Sequence, residues 1–199
     1  LNDVAARVGG ETLVLPFEAT DYARIPALVE QAWNWKGHVD GLVNNAGISQ
    51  RSLAVDTVFE VYEKIIGVDL LAPIALTQAL LPRMTAAGGG DIVAISSVAG
   101  IAGPPLRSAY SAAKAGIIGY HDSVRAETTH LGMRVLVVAP GSVKTNVSKN
   151  ALDANAATRG VSDSVIDNGM DASVAAERIV QALRNGEREL ILAEGVELE

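Results

Sequence analysis

Arg134-Val-Leu-Val-Val-Ala-Pro-Gly141 is the stretch on which the fold turns. From Val135 to Ala139 it is apolar without alternation, so a strand over Arg134 to Ala139 has to be covered on both faces, as strands of parallel sheets are. Working outward, Thr12 to Phe17, Gly41 to Asn44, Asp91 to Ser96 and Glu189 to Ala193 read as further strands. Helical patterns separate them at about Tyr22 to Trp35, Val58 to Thr85, Ala109 to Leu131 and Ser173 to Asn185. This alternation predicts an α/β fold with a doubly wound parallel sheet, and 199 residues suit one domain spanning 1–199.

Local signals agree. Asp21 is placed to cap the first full helix, and Thr57 with Glu60 makes a capping-box pattern before the second. Gly88-Gly-Gly90 ends that second helix, and Pro73 inside it is expected to bend it by removing one hydrogen bond.

Composition excludes several function classes. A net charge of −7 argues against a nucleic-acid or anionic-membrane footprint, which needs clustered lysine and arginine. With no cysteine there is no disulfide, thiol nucleophile or cysteine metal site. His38, His121 and His130 fall in different elements without ligand-like spacing, so no metal site is expected. The most apolar stretch, Ile65 to Leu81, contains Asp69, Pro73, Thr77 and Gln78, and reads as a core helix rather than a membrane span. The chain begins at Leu1, and a targeting or anchoring segment before it stays open.

Candidate chemistry centres on Ser108-Ala-Tyr-Ser-Ala-Ala-Lys114, because Tyr110 and Lys114, four residues apart on a helix, share a face. An ammonium beside a phenol stabilises the phenolate, which makes the tyrosine a candidate acid and base. Alone this pair is a weak signal. It is joined in order by Val43-Asn-Asn-Ala-Gly47, by Ile92-Val-Ala-Ile-Ser-Ser97, and by Pro140-Gly141 followed by Thr145.

Together these motifs resemble the short-chain dehydrogenase/reductase family over nearly the whole chain. Ile48-Ser-Gln-Arg51, Arg107-Ser-Ala-Tyr110 and Thr145-Asn146 look like its dehydrogenase/reductase member 7 branch. The resemblance implies a Rossmann-like domain that binds NAD or NADP and interconverts a secondary alcohol and a ketone or other carbonyl. It implies Tyr110 as acid/base, Lys114 as its activator and a ribose ligand, and Ser97 as the hydroxyl that orients the substrate oxygen. It also implies cofactor contacts from Glu18, Asn44, Ala46, Gly47, Pro140, Gly141, Val143 and Thr145, and a substrate-covering loop from Asn146 to Asp171. At Asp69 the family usually has an asparagine that holds a water beside the lysine; a carboxylate there keeps an acceptor, loses the amide donor, and can pair with Lys114 or carry a proton itself.

A glycine-rich phosphate turn, which should open such a fold, is missing before Thr12, and Leu1 to Val8 reads as the end of a helix. The chain is therefore expected to lack the opening βαβα part, and with it the residue that selects NAD or NADP. A small-molecule alcohol or carbonyl substrate, a homodimer or homotetramer and a cytoplasmic location complete the expectation. Two alternatives stay open: a binding or regulatory protein of the same fold without turnover, and an epimerase or dehydratase.

Overall fold

The structure, a computed structural model, describes residues 1–193. The apolar run that decides the fold becomes β3 (Met133–Pro140), flanked in parallel by β2 (Gly90–Ile95) and β4 (Glu189–Leu192). β1 (Gly41–Asn44) adds to the far side of β2, so the sheet has four parallel strands in the order β1-β2-β3-β4.

Both faces of the central strands are covered, as the unbroken apolar pattern requires. Ile92 and Val135 pack with Leu80 and Met84 of α4 (Ala72–Ala86) and Val124 of α5 (Ser108–Thr128). Ile25 and Val29 of α2 (Ile25–Lys36) join this layer. On the opposite face Val93, Leu136 and Val138 meet Ala175 and Ala182 of α7 (Ala172–Arg184). The arrangement is the Rossmann-like α/β fold read from the sequence.

Thr12 to Phe17 forms no strand. β-Rich composition favours a pleated, half-buried position without creating one, and the only ladder neighbour of β1 among the described residues is β2. The expected β4 end at Ala193 falls one residue beyond the ladder. α1 (Asn2–Val8) buries none of its residues.

The long second helix is unbroken but changes its winding. α3 (Phe59–Ile66) passes into a π turn at Gly67–Leu71 and then into α4. Pro73 has no N–H to give the carbonyl of Asp69, so the expected bend takes the form of a widened turn just before the proline. Tyr22 donates its hydroxyl to Gly67 O at 3.1 Å across this turn. The whole Phe59–Ala86 stretch, mean hydropathy 1.7, is long and apolar enough to cross a membrane by length and composition. It carries the fully buried Asp69 and packs on α2 and α5, as a core helix does.

Both expected caps differ. Asp21 precedes a 3-10 turn, Tyr22–Arg24, and makes no side-chain cap bond. Val58, not Thr57, holds the cap position of α3; the Thr57 hydroxyl instead donates to Leu53 O at 2.6 Å and lies 2.7 Å from Ser52 Oγ. The glycine stop after α4 is required sterically. At Gly89 φ is 114° and a Cβ would stand 2.1 Å from Gly132 O, where the turn before β2 crosses the turn before β3.

Candidate active site

A cavity of about 530 Å³ opens at the carboxyl ends of β1, β2 and β3, where ligands of open α/β sheets sit. Each strand end contributes: Asn45, Ala46 and Gly47 after β1, Ser96 and Ser97 after β2, Pro140 and Gly141 at the end of β3. α5 crosses the same opening and lends Tyr110 and Lys114, and α7 closes it with Ala175, Ala176 and Ile179.

Lys114 is the most constrained of these groups. Its side chain is 5% exposed, Nζ donates to Ile95 O at 3.0 Å, and the same atom stands 5.6 Å from the Tyr110 ring centre. The shared helix face read from the spacing is therefore real. The two serines divide the work. Ser96 Oγ donates to Lys114 O at 2.7 Å and so is used to fasten α5 to β2. Ser97 Oγ accepts from Ala99 N at 3.2 Å and donates to Pro140 O at 3.3 Å, a longer bond that a substrate oxygen can replace.

Asp69 reaches this cluster because the π turn carries it there. It is fully buried; Oδ1 accepts from Ile48 N at 2.8 Å and Oδ2 lies 3.3 Å from Lys114 Nζ. Beyond that ion pair, Oδ2 meets no donor among the described residues. Burial pushes the Asp69 carboxyl above the ordinary carboxylate range, and Lys114 and the Ile48 amide pull it back only in part. Gly47 is fitted to this pair: a Cβ there would stand 2.9 Å from Asp69 Oδ2 and 3.2 Å from Lys114 Nζ.

The expected cofactor contacts divide. Ala46, Gly47, Pro140, Gly141, Val143 and Thr145 line the cavity with Tyr110 and Lys114. Asn44 does not: its side chain turns into the core, with Nδ2 donating to Thr77 Oγ1 at 3.0 Å and 3.4 Å from His121 Nε2. Glu18 is exposed, outside the cavity, and accepts from Thr20. Burial holds the fully buried His121 below the ordinary imidazole value.

Three residues of this region were not among the expected site residues, although two of them, Gln50 and Arg51, lie in the Ile48-Ser-Gln-Arg51 motif. Arg51 lines the cavity, donating to Asp163 at 2.6 Å, to Ser49 Oγ at 2.8 Å and to Gln50 O at 2.7 Å. Asp163 also accepts from Arg159 at 2.8 Å. Burial raises the Asp163 carboxyl, but the bonds from Arg159 and Arg51 outweigh it and hold the group below the usual carboxylate range. Gln50, between the cavity-lining Ser49 and Arg51, is fully buried. The 146–171 segment is a folded strap, with bridges from Leu152 to Gln50 and Thr158 and a short helix, α6 (Ser164–Asp167).

The donor set suits the nicotinamide end of a dinucleotide: a buried ammonium, a phenol, a threonine hydroxyl and glycine-lined backbone face one cavity. A glycine-rich phosphate turn is not among the described residues.

The short chain dehydrogenase family matches residues 1–156. Mouse (Mus musculus) dehydrogenase/reductase SDR family member 7B is 36% identical over 197 residues, 98% of this chain and 61% of the mouse protein. Zebrafish (Danio rerio) member 7B is 41% identical over 157 residues, 79% of this chain and 51% of that protein. The chain thus spans between half and two thirds of these curated relatives. In structure it is similar to a short-chain dehydrogenase from Streptomyces avermitilis, with a TM-score of 0.83 and 29% identity over 98% of this chain and 74% of the other.

Proposed function

The chain belongs to the short-chain dehydrogenase/reductase family, on its member 7-like branch, and from that premise we propose that the full protein is an NAD- or NADP-dependent oxidoreductase interconverting a secondary alcohol and a ketone or other carbonyl. The observation that carries this reading is the convergence of Tyr110, Lys114 and Ser97 on one cavity at the strand ends.

In the reduction direction Ser97 turns its hydroxyl from Pro140 O to the substrate carbonyl oxygen, fixing that oxygen and donating to it as charge develops. Tyr110 gives its phenolic proton to the same oxygen. In oxidation it removes the hydroxyl proton, with the Lys114 charge stabilising the phenolate. When bound, the nicotinamide supplies or accepts the hydride. Lys114 would also hold the ribose, Val143 and Thr145 the carboxamide, and Ala46 and Gly47, all lining the same cavity, would let the backbone come close. Asp69 pairs with Lys114 and pins the turn after β1 through Ile48 N. Working in the cytoplasm as a homodimer or homotetramer, the protein would use the exposed apolar residues of the long helix, Phe59 and Leu71 among them, between copies.

A second reading, a binding or regulatory protein of the same fold without turnover, is favoured by one observation: the buried Asp69 carboxyl competes with Tyr110 for the Lys114 ammonium. Thermal unfolding of the full-length protein with saturating NADH, NADPH or neither tests the first step of the oxidoreductase reading, since a ligand at about 100 times its Kd adds roughly 2.7 kcal/mol. A shift with one cofactor is expected and identifies it. Absence of a shift with either contradicts the oxidoreductase reading and favours the second.

A further inference from the structure

The helix that carries Tyr110 does not cap itself. Arg107 at its N-cap makes no side-chain cap bond, and Leu106 before it sits at φ 67°, a left-handed conformation that costs a leucine energy. The first backbone N–H groups of a helix have no partner within it. Two of those in α5, Ala109 N and Tyr110 N, donate to one atom from far along the chain, Gln50 Oε1, at 2.7 and 3.3 Å.

Gln50 is fully buried, and the other end of its amide is also engaged, Nε2 donating to Ser52 Oγ at 3.3 Å. Ser52 N in turn donates to Leu106 O at 3.1 Å, tying down the strained residue at the helix entry. The same short segment holds the strap over the cavity: Leu152 N donates to Ser49 O at 2.8 Å and Arg51 N to Leu152 O at 2.9 Å. A buried amide that satisfies two helix amides and a hydroxyl is a fixed bracket, since breaking it leaves polar groups unpaired away from water.

We propose that Gln50 is a positioning residue for the reaction: by capping α5 from the β1 side it fixes the first helical turn, and so the Tyr110 phenol relative to Lys114 and Ser97. Tyr110 lies in the turn that frays when the cap is lost, whereas Lys114 is held one turn later by Ile95 O and Asp69. Loss of Gln50 therefore moves one member of the pair and not the other. The proposal rests on the oxidoreductase reading above.

The test uses the full-length protein, the cofactor that shifts its unfolding, and 9,10-phenanthrenequinone as carbonyl probe. Gln50→Leu keeps the volume and removes the acceptor; Gln50→Glu keeps an oxygen for both amides. Since a displacement of about 1 Å can cost about 100-fold, Gln50→Leu is expected to lower kcat by about 10- to 100-fold, with KM and cofactor Kd within about two-fold of the parent. Amide exchange at Ala109 and Tyr110 should accelerate in the same variant, and Gln50→Glu should recover most of kcat. Should Gln50→Leu not fold, Gln50→Asn, which withdraws the acceptor by one carbon, is expected to give the same kcat loss.

Unchanged kcat and unchanged exchange in Gln50→Leu overturn the proposal. So does a loss shared equally by KM and cofactor Kd that Gln50→Glu does not restore, which marks a merely structural residue. A parent that neither binds dinucleotide nor reduces the probe overturns the oxidoreductase reading itself. An active parent with an indifferent Gln50→Leu overturns this inference alone.

Discussion

Asp69 and Asp163 are two aspartates attached to one cavity, and their surroundings drive them in opposite directions. Asp69, with no exposed side-chain surface, has one cation at 3.3 Å and one backbone amide. Asp163 keeps 24% of its side chain exposed and is held by two guanidinium groups, Arg51 at 2.6 Å and Arg159 at 2.8 Å. Burial dominates at the first, so its carboxyl is harder to ionise than usual; the paired arginines dominate at the second, so it is easier. The number of donors set against the loss of water decides the sign. Asp163 is thereby the more readily ionised of the two, and it latches the strap to Arg51. Asp69 sits in the core beside the Lys114 ammonium, where burial rather than pairing decides its charge.

The largest effect should come from breaking the buried pair from the acid side. Asp69→Leu strands the Lys114 ammonium in the core, and removal of one partner of a buried ion pair typically costs about 3–5 kcal/mol. Chemical denaturation should register a loss of that size, and a loss below about 1 kcal/mol would mean that Lys114 escapes to water.

At the latch the loss should be smaller and local. Arg51→Leu leaves Asp163 to Arg159 alone and removes a charged hydrogen bond, about 2 kcal/mol. Amide exchange should speed up across residues 146–171, and KM for a carbonyl probe should rise more than kcat falls. Uniform exchange through the sheet would contradict a local latch.

Acid sharpens the contrast, because the two groups have opposite linkage. Asp163, held below its unfolded value of 3.8, contributes stability that is present above that pH and lost as pH falls through its folded value. Asp69, raised above 3.8, contributes stability that is complete below that pH and lost as pH rises through its folded value. Melting curves between pH 3 and 7 should therefore flatten on the acid side in Asp163→Asn. In Asp69→Asn the decline with rising pH should disappear. Identical profiles in the two variants would refute the comparison.

The smallest expected change is Asp69→Asn itself near neutral pH. The amide oxygen still accepts from Ile48 N, the new N–H₂ adds a donor, and the Lys114 charge is no longer shared. Turnover should be retained or raised; its collapse in a normally folded variant would make Asp69 an obligatory proton carrier.

Much of this was legible in the residues. Val135 to Ala139 reads as a doubly covered strand because burial on both faces leaves no polar alternation, and Tyr110 with Lys114 reads as one face because helical spacing is local. Other features depend on partners that a local pattern does not contain. Thr12 to Phe17 has strand composition but no ladder, and Thr57 has cap chemistry but is drawn to Ser52 and Leu53. Asn44 alternates into the core where its motif pointed to the cofactor. Arg51 meets Asp163, and Gln50 meets Ala109, only after more than fifty intervening residues have folded.

Hydride chemistry in the cavity, with Tyr110 as its proton donor, is tested by NADH and NADPH consumption by the full-length protein against a carbonyl panel, alongside Tyr110→Phe. Turnover is expected with one of the two cofactors. In Tyr110→Phe it should fall by about 10²–10⁴-fold with cofactor affinity retained, the range general acid–base catalysis contributes. Equal turnover by the parent and Tyr110→Phe would contradict Tyr110 as the proton donor.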